Sequence, residues 1–581
     1  MLRKTMMTLL WLCLLVPACT QSSHPEGGGD AKPPAGTLPE VSSEAIRAAA
    51  EADTEQMLAF LVKTVQFESV EDYGYELKPE TVALMDYVLE TGKTMGFTAR
   101  KAAGGLVGVL EYGQGEEVVG ALIHLDVVPI SAEELPQWEQ PPFSGKIVDG
   151  VVWGRGSQDD KGALAGVLFG AKTLIDNGLA FKRKLRIVLG TKEEKNFESM
   201  TRYFQEEKQP DFGIVPDGVY IVQGQKGIAD LHFHFNTPTP ADADKAPHRV
   251  IHWQGGTVIN TVPDFSFAVI KSRNVAKTRK QLTSLVEEVT AELKSGKSDR
   301  FYGVTAPYEA NLGVADFADF AKEYRIENVP EGDLVLYAKG VAAHGSTPEE
   351  GKNAIVEVAL VGSQMSDLPD DVYRRVFGFM ATKIGLSTDA SGLGVPLNAP
   401  SDVLIPPGVS AQIYVGSSAN PGVIGDDGKG LLKLAVNFRI GLGNSDQEVI
   451  EAATKSVAEF GGTVPPPGEG AVYTSYYIPG DDALLNLVKG AYKGVNGHDP
   501  VLTVGAGANY MMLVKNHVSF GPVDFFPPGT TTFDPTLLRF HQKNEQFSIA
   551  QLKLNVVIYA ETLQDMLQAE KAPMRDRPDG T

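Results

Sequence analysis

A chain of 581 residues, 43% hydrophobic and 22% charged, has material for more than one folded core and the composition of a globular protein, not a disordered one. With 52 Lys+Arg against 73 Asp+Glu its formal net charge is -21, which excludes the basic footprint that nucleic-acid binding requires. The two cysteines both lie in the first 19 residues, so the remainder holds no structural disulfide and no thiolate metal site.

Taken in order, Arg3 and Lys4 precede an apolar stretch over residues 6–16 that is too short for a membrane span and is expected to be a secretory signal. Val16-Pro17-Ala18-Cys19 resembles a bacterial lipobox. The expectation is a leader over 1–19 and an exported protein lipid-anchored at Cys19 on the periplasmic or cell-surface face of a membrane. The alternative is a plain signal peptide in which Cys19 is incidental. Residues 20–42 read as a flexible tether.

Helical spacing follows over 43–65 and 79–95. Strands are expected at 106–111, 118–125, 185–189 and 213–215, with helices at 163–177 and 199–207. Alternating helices and non-alternating apolar strands predict an α/β sandwich with a mostly parallel sheet over 43–227. From 228 to 470 the pattern changes. Residues 231–235, L-H-F-H-F, alternate as a half-solvated antiparallel strand does, with His232 and His234 on one face. Strands at 334–338 and 432–440 and helices near 276–294, 314–323, 353–366 and 446–459 make this an inserted α+β domain. The α/β pattern resumes over 471–571, and 572–581 is a tail.

His124, Asp159, Glu194, Asp217 and His541 each fall at an expected strand end or on an adjoining turn, where an α/β sheet gathers a site. Two imidazoles and three carboxylates suit zinc, cobalt or manganese, and five ligands suit two ions sharing a bridging carboxylate. Each signal alone has a plainer reading: His124 as a buried structural histidine, Asp217 as a turn aspartate after Pro216, Glu193-Glu194 as a solvated helix start.

Together they match a known pattern. H-L-D-V-V-P at 124–129, P-P-F at 141–143, G-R-G-S-Q-D-D-K-G at 154–162, G-T-K-E-E at 190–194 and P-D-F-G-I-V-P-D at 210–217 stand in one order with G-G-T-V-I-N at 255–260, G-V-A-A-H-G-S-T-P at 340–348 and H-Q-K-N-E at 541–545. The chain thereby resembles the co-catalytic metallopeptidase family of aminoacylase, glutamate carboxypeptidase, carnosinase and desuccinylase, and within it the PepV-type dipeptidases. The resemblance implies a two-domain zinc-peptidase-like fold in which the insert is a lid. It makes Asp159 the bridge, with His124 and Asp217 on one ion and Glu194 and His541 on the other. Asp126 would orient His124, Glu193 would be the general base, and His344 would donate to the oxyanion. Asn260, Arg439 and the loop at 505–510, with Gly505 and Ala508, would engage the substrate. In the family the bond equivalent to Asp159–Asp160 is often cis.

The implied reaction is hydrolysis of a dipeptide or short peptide with two divalent cations, zinc foremost, by a monomer that touches the membrane only through its lipid anchor. An N-acyl-amino-acid deacylase or carboxypeptidase, and a peptide-binding lipoprotein without catalysis, are the alternatives. Four departures bear on specificity. Lys192 and Lys195 flank the Glu193-Glu194 pair, where their charge is expected to lower the pKa of Glu193 or recruit an acidic substrate, and Ala506 and Ala508 replace a glycine and a hydroxyl residue.

Overall fold

The structure is a computed structural model that describes residues 40–573 except 133, 237–239, 406–409, 428–429, 469–470, 506 and 533. The expected leader with Cys19, the tether up to residue 39, Ala506 and the tail from 574 onward lie outside the described residues. Among the described residues no helix is long and apolar enough to cross a membrane.

The chain divides into two compact units. One holds residues up to Gln223, Ile478–Thr503 and the chain from Asn509 on; the other holds Gly224–Tyr477 and Val504–Ala508. The substrate-loop residues Gly505 and Ala508 therefore belong with the inserted unit.

The first unit is built on a sheet whose strands run in the order Thr98–Ala102, Val107–Tyr112, Lys184–Gly190, Val118–His124, Phe212–Val215, His517–Ser519. The four strands from Lys184–Gly190 onward pair in parallel, whereas the first two join by antiparallel pairings. Parallel strands are buried on both faces, which is why Val118–His124 is buried at every position and reads as an unbroken apolar run. Close spacing in the centre depends on glycine: a Cβ at Gly213 would lie 2.0 Å from the Gly120 carbonyl oxygen.

Helices Lys161–Asp176 and Ile549–Gln568 pack on each other. Their approach uses Gly166, where a Cβ would sit 2.9 Å from the Tyr559 ring. The helix Ile549–Gln568 has no counterpart among the sequence expectations, because it is buried nearly all round and lacks the one-sided stripe that marks a surface helix. The single helix expected over 43–65 is two, Ser43–Ala52 and Thr54–Val65, meeting at Asp53.

The second unit is an antiparallel sheet in the order Leu312–Asp316, Leu334–Lys339, Phe265–Ser272, His248–Gly255, Ser418–Asp426, Leu431–Ile440, Gly227–Asn236, Gly462–Thr463. In Gly227–Asn236 the alternation places Leu231, Phe233 and Phe235 in the core while His232 is exposed. Helices Val275–Ser295, Ala354–Ser363, Val372–Phe379 and Asp446–Ala458 complete that core.

Candidate metal centre

Five of the sequence candidates meet in the first unit. His124 ends the central strand Val118–His124, and Asp159 sits on the turn before helix Lys161–Asp176. Glu194 follows strand Lys184–Gly190, Asp217 follows strand Phe212–Val215, and His541 lies on the loop before Gln546–Ser548 with a left-handed φ of 58°. The ligand atoms of His124, Asp159 and Asp217 all lie within 4.8 Å of one another, as do those of Asp159, Glu194 and His541. Asp159 belongs to both groups. Its Oδ1 is 2.9 Å from His124 Nε2 and its Oδ2 is 3.1 Å from His541 Nε2, which is also 3.1 Å from Glu194. The peptide between Asp159 and Asp160 is cis.

The donor set fits divalent cations on this chain's own hydrogen bonding. His124 Nδ1 lies 2.9 Å from the Asp126 carbonyl oxygen, which can only accept, so Nδ1 carries the hydrogen. In the neutral ring Nε2 then presents a lone pair towards the Asp159 carboxylate 2.9 Å away. Two lone pairs so placed call for a proton or a cation between them. Without a metal, burial and then the Asp159 charge push the Asp217 carboxyl up to about 7, and burial with Asp159 also raises Glu194. Burial works against charge on His541, yet its contacts with Asp159 and Glu194 push it up to about 11. Three carboxylates and two imidazoles crowded in this way are stabilised by positive charge, and oxygen and nitrogen ligands without thiolate suit the harder divalent ions.

Asp126 touches both the His124 ring and the turn carrying Glu193 and Glu194. Its carboxylate is at ion-pair distance from His124 Nδ1, 3.7 Å, and its backbone carbonyl accepts the Nδ1 hydrogen at 2.9 Å, so the residue meets the ring twice. The carboxylate accepts the backbone N–H of Glu193 at 3.1 Å and of Glu194 at 3.0 Å. Asp126 thus fixes the turn carrying both acidic residues. Glu193 is buried, and its Oε1 has no hydrogen-bond partner among the described residues. Burial raises its pKa well above the usual carboxylate range.

That direction corrects the expectation for Lys192. Its ammonium is fully buried and points away from the base, bonding Glu71 Oε2 at 3.1 Å and the carbonyls of Asp72 and Glu76 at 2.5 and 3.2 Å. The charge ties segment 71–76 to the turn. Lys195 stacks over the Tyr73 ring of the same segment. Replacing Lys192 by Met strands the buried Glu71 carboxylate, so unfolding in denaturant is expected to show a loss of about 3–5 kcal/mol. An unchanged denaturation midpoint would contradict that reading.

One residue quoted in a motif but given no part in the sequence reading holds the centre together. Glu545 is fully buried; its Oε1 accepts the backbone N–H of Gln158 at 2.9 Å and of Asp159 at 3.2 Å, and its Oε2 accepts from Arg155 Nη1 at 2.9 Å. Arg155 Nη1 also donates to the Gln542 carbonyl at 3.1 Å. The turn bearing Asp159 and the loop bearing His541 are fastened to each other through this pair.

In the second unit, Asn260 and His344 are neighbours: the Gly345 N–H donates to the Asn260 carbonyl at 2.7 Å. The Ser346 N–H donates to His344 Nδ1 at 3.0 Å, which leaves the hydrogen of the neutral ring on Nε2. Arg439 is buried on strand Leu431–Ile440, and burial draws its pKa down to about 10 against the opposing charge of Asp230. Lys226, absent from the sequence candidates, is a second buried cation; burial, with the Arg439 charge assisting and Glu349 opposing, draws its pKa down to about 8, and its backbone N–H donates to the Gly505 carbonyl at 3.0 Å. Ala508 is half-buried.

Comparison with known proteins adds a family-level match. A model described as peptidase family M20/M25/M40 matches residues 121–565. The chain is 26% identical over 516 residues to "Putative dipeptidase YtjP" of Bacillus subtilis (strain 168), spanning 88% of this chain and 96% of that one. Solved structures similar to it include an aminoacylhistidine dipeptidase from Vibrio alginolyticus, at 16% identity and a TM-score of 0.49 over 88% of this chain and 96% of that one. Human carnosine dipeptidase 1 aligns at 14% identity with a TM-score of 0.46, over 91% of this chain and 100% of its own.

Proposed function

The chain belongs to peptidase family M20/M25/M40, and from that membership we propose that it hydrolyses the amide bond of dipeptides or short peptides in a site holding two divalent cations. The observation that carries the reading is the pair of ligand groups sharing Asp159, with the buried carboxylate of Glu193 on the same turn as Glu194. The B. subtilis relative, similar along 88% of this chain, is named for dipeptides, which supports that substrate class.

His124, Asp159 and Asp217 would hold one cation, and Asp159, Glu194 and His541 the other. Zinc suits the donor set best, with manganese and cobalt as the alternatives. When bound, the cations supply Lewis acidity that makes water nucleophilic at neutral pH and polarises the scissile carbonyl. Glu193 takes a proton from the attacking water at a carboxylate oxygen. Its burial favours holding that proton until the C–N bond breaks and the leaving amine accepts it. The Nε2–H of His344 is a donor of the kind that the developing oxyanion needs, and the Arg439 guanidinium suits a substrate carboxylate. The sequence ending at Cys19 supports an exported, lipid-anchored enzyme.

A chelator-stripped preparation is expected to lose hydrolysis of a dipeptide panel and regain it with Zn2+, with N-acylated amino acids cleaved more slowly than dipeptides. Faster cleavage of the N-acylated series would reassign the substrate class, and full activity after stripping would remove the metal from the reaction.

A further inference from the structure

Strand His248–Gly255 opens with a histidine where its alternation calls for an apolar residue. His248 lies on the same face as Val250, a member of the second unit's core, and is 5% exposed. Neither ring nitrogen has a hydrogen-bond partner among the described residues. Burial draws the ring's pKa down, with the Asp367 charge opposing and the Lys277 charge assisting, so the imidazole is neutral and offers one N–H and one lone pair. A buried polar group left unpaired is destabilising, whereas leucine or phenylalanine would fill the place without that cost. The ring therefore needs a partner that the surrounding chain does not provide.

There is room for one. His248 lines a cavity of about 500 Å3 beside helix Val275–Ser295. Gln281 also lines it, and its Oε1 is likewise buried without a partner among the described residues. Lys277 and Lys280 line it from the same helix as Gln281, Asp367 from another segment, and all three are exposed. Leu282, Leu285 and Met365 give the cavity an apolar part. Two cations, one anion, an amide oxygen that must accept, an imidazole that can do both and an apolar surface do not match a bare anion. They match a molecule carrying both charges and a hydrocarbon group.

We propose that this cavity binds a small zwitterion with an apolar side chain, a free amino acid or a short peptide. The carboxylate would lie between Lys277 and Lys280 and accept the His248 N–H, the ammonium would stand against Asp367 and Gln281 Oε1, and the side chain over Leu282 and Leu285. Every residue of the cavity belongs to the second unit, whereas the five metal ligands belong to the first. That such a ligand would be a product or substrate of the enzyme rests on the proposed reaction; the binding itself does not.

Calorimetric titration of the metal-loaded protein tests it with L-leucine, leucinamide and 4-methylpentanoate. Leucine is expected to bind a site that His248→Phe and the double variant Lys277→Gln/Lys280→Gln each weaken by about tenfold or more, with peptide hydrolysis retained in both. Leucinamide and 4-methylpentanoate, each lacking one charge, are expected to bind that site about tenfold more weakly than leucine. His248→Phe should melt no lower than the parent, since it removes the unpaired ring, and the double variant changes only exposed side chains. Leucine binding that is equal in the parent and both variants overturns the proposal. So does 4-methylpentanoate binding as tightly as leucine.

Discussion

Glu193→Gln is expected to lower kcat by about 10²–10⁴-fold while the metal content per chain stays at the parent value. The substitution keeps the size of the side chain and removes only its capacity to take a proton. Because Glu193 Oε1 has no hydrogen-bond partner among the described residues, an amide there breaks no hydrogen bond at that atom, and because burial disfavours the carboxylate, thermal stability should hold or rise. The ligands remain in place, so metal analysis separates a lost base from a lost ion. Turnover retained in this variant would assign the proton transfer to another group.

Glu545→Ala is expected to act at a distance from the substrate. It removes the buried one of the two carboxylates paired with the Arg155 guanidinium, leaving Glu134 at 3.2 Å, and frees the backbone N–H groups of Gln158 and Asp159. Breaking a buried pair by removing one partner costs about 3–5 kcal/mol of stability. Because the same carboxylate fixes the turn of the shared ligand, metal affinity should fall by about 10–100-fold, read by competition with a chromophoric chelator. Glu545→Gln, which can still accept from the two N–H groups, should recover much of the metal affinity and less of the stability. Loss of stability with unchanged metal affinity in both variants would mean that Glu545 only packs.

The legible part of this fold was the part in which chemistry stands at the end of an uninterrupted apolar run. Val118 to Ile123 is apolar or glycine because both faces of that strand are covered, and His124 breaks the run where the sheet ends. Asp159, Glu194 and Asp217 mark the corresponding ends of other segments, so these candidates could be named before their meeting was seen. What could not be read was the environment each side chain enters. Lys192 next to Glu193 in sequence suggested a charge acting on the base, but the backbone turns it into segment 71–76, more than a hundred residues earlier. Asp126 two residues beyond His124 suggested a carboxylate beside the ring, but not that the same carboxylate also accepts two N–H groups of the 193–194 turn. The helix Ile549–Gln568 escaped notice because burial on all sides erases the periodicity that announces a helix. Glu545 stood in a quoted motif, yet its partners Arg155 and Gln158 lie nearly four hundred residues away.

The interrupted layout of the first unit has a consequence for the order in which the molecule forms. Strand Phe212–Val215 is flanked on one side by Val118–His124, made earlier, and on the other by His517–Ser519, made some three hundred residues later. The second unit, by contrast, is almost wholly contiguous from Gly224 to Tyr477. On a ribosome, where domains fold as units once complete, the later-numbered unit can finish first. His124, Asp159 and Asp217 are then already synthesised, but His541 and the Glu545 that steadies Asp159 emerge only near the end. The group of His124, Asp159 and Asp217 has no member beyond residue 217, whereas the group of Asp159, Glu194 and His541 waits for a residue made more than three hundred positions later.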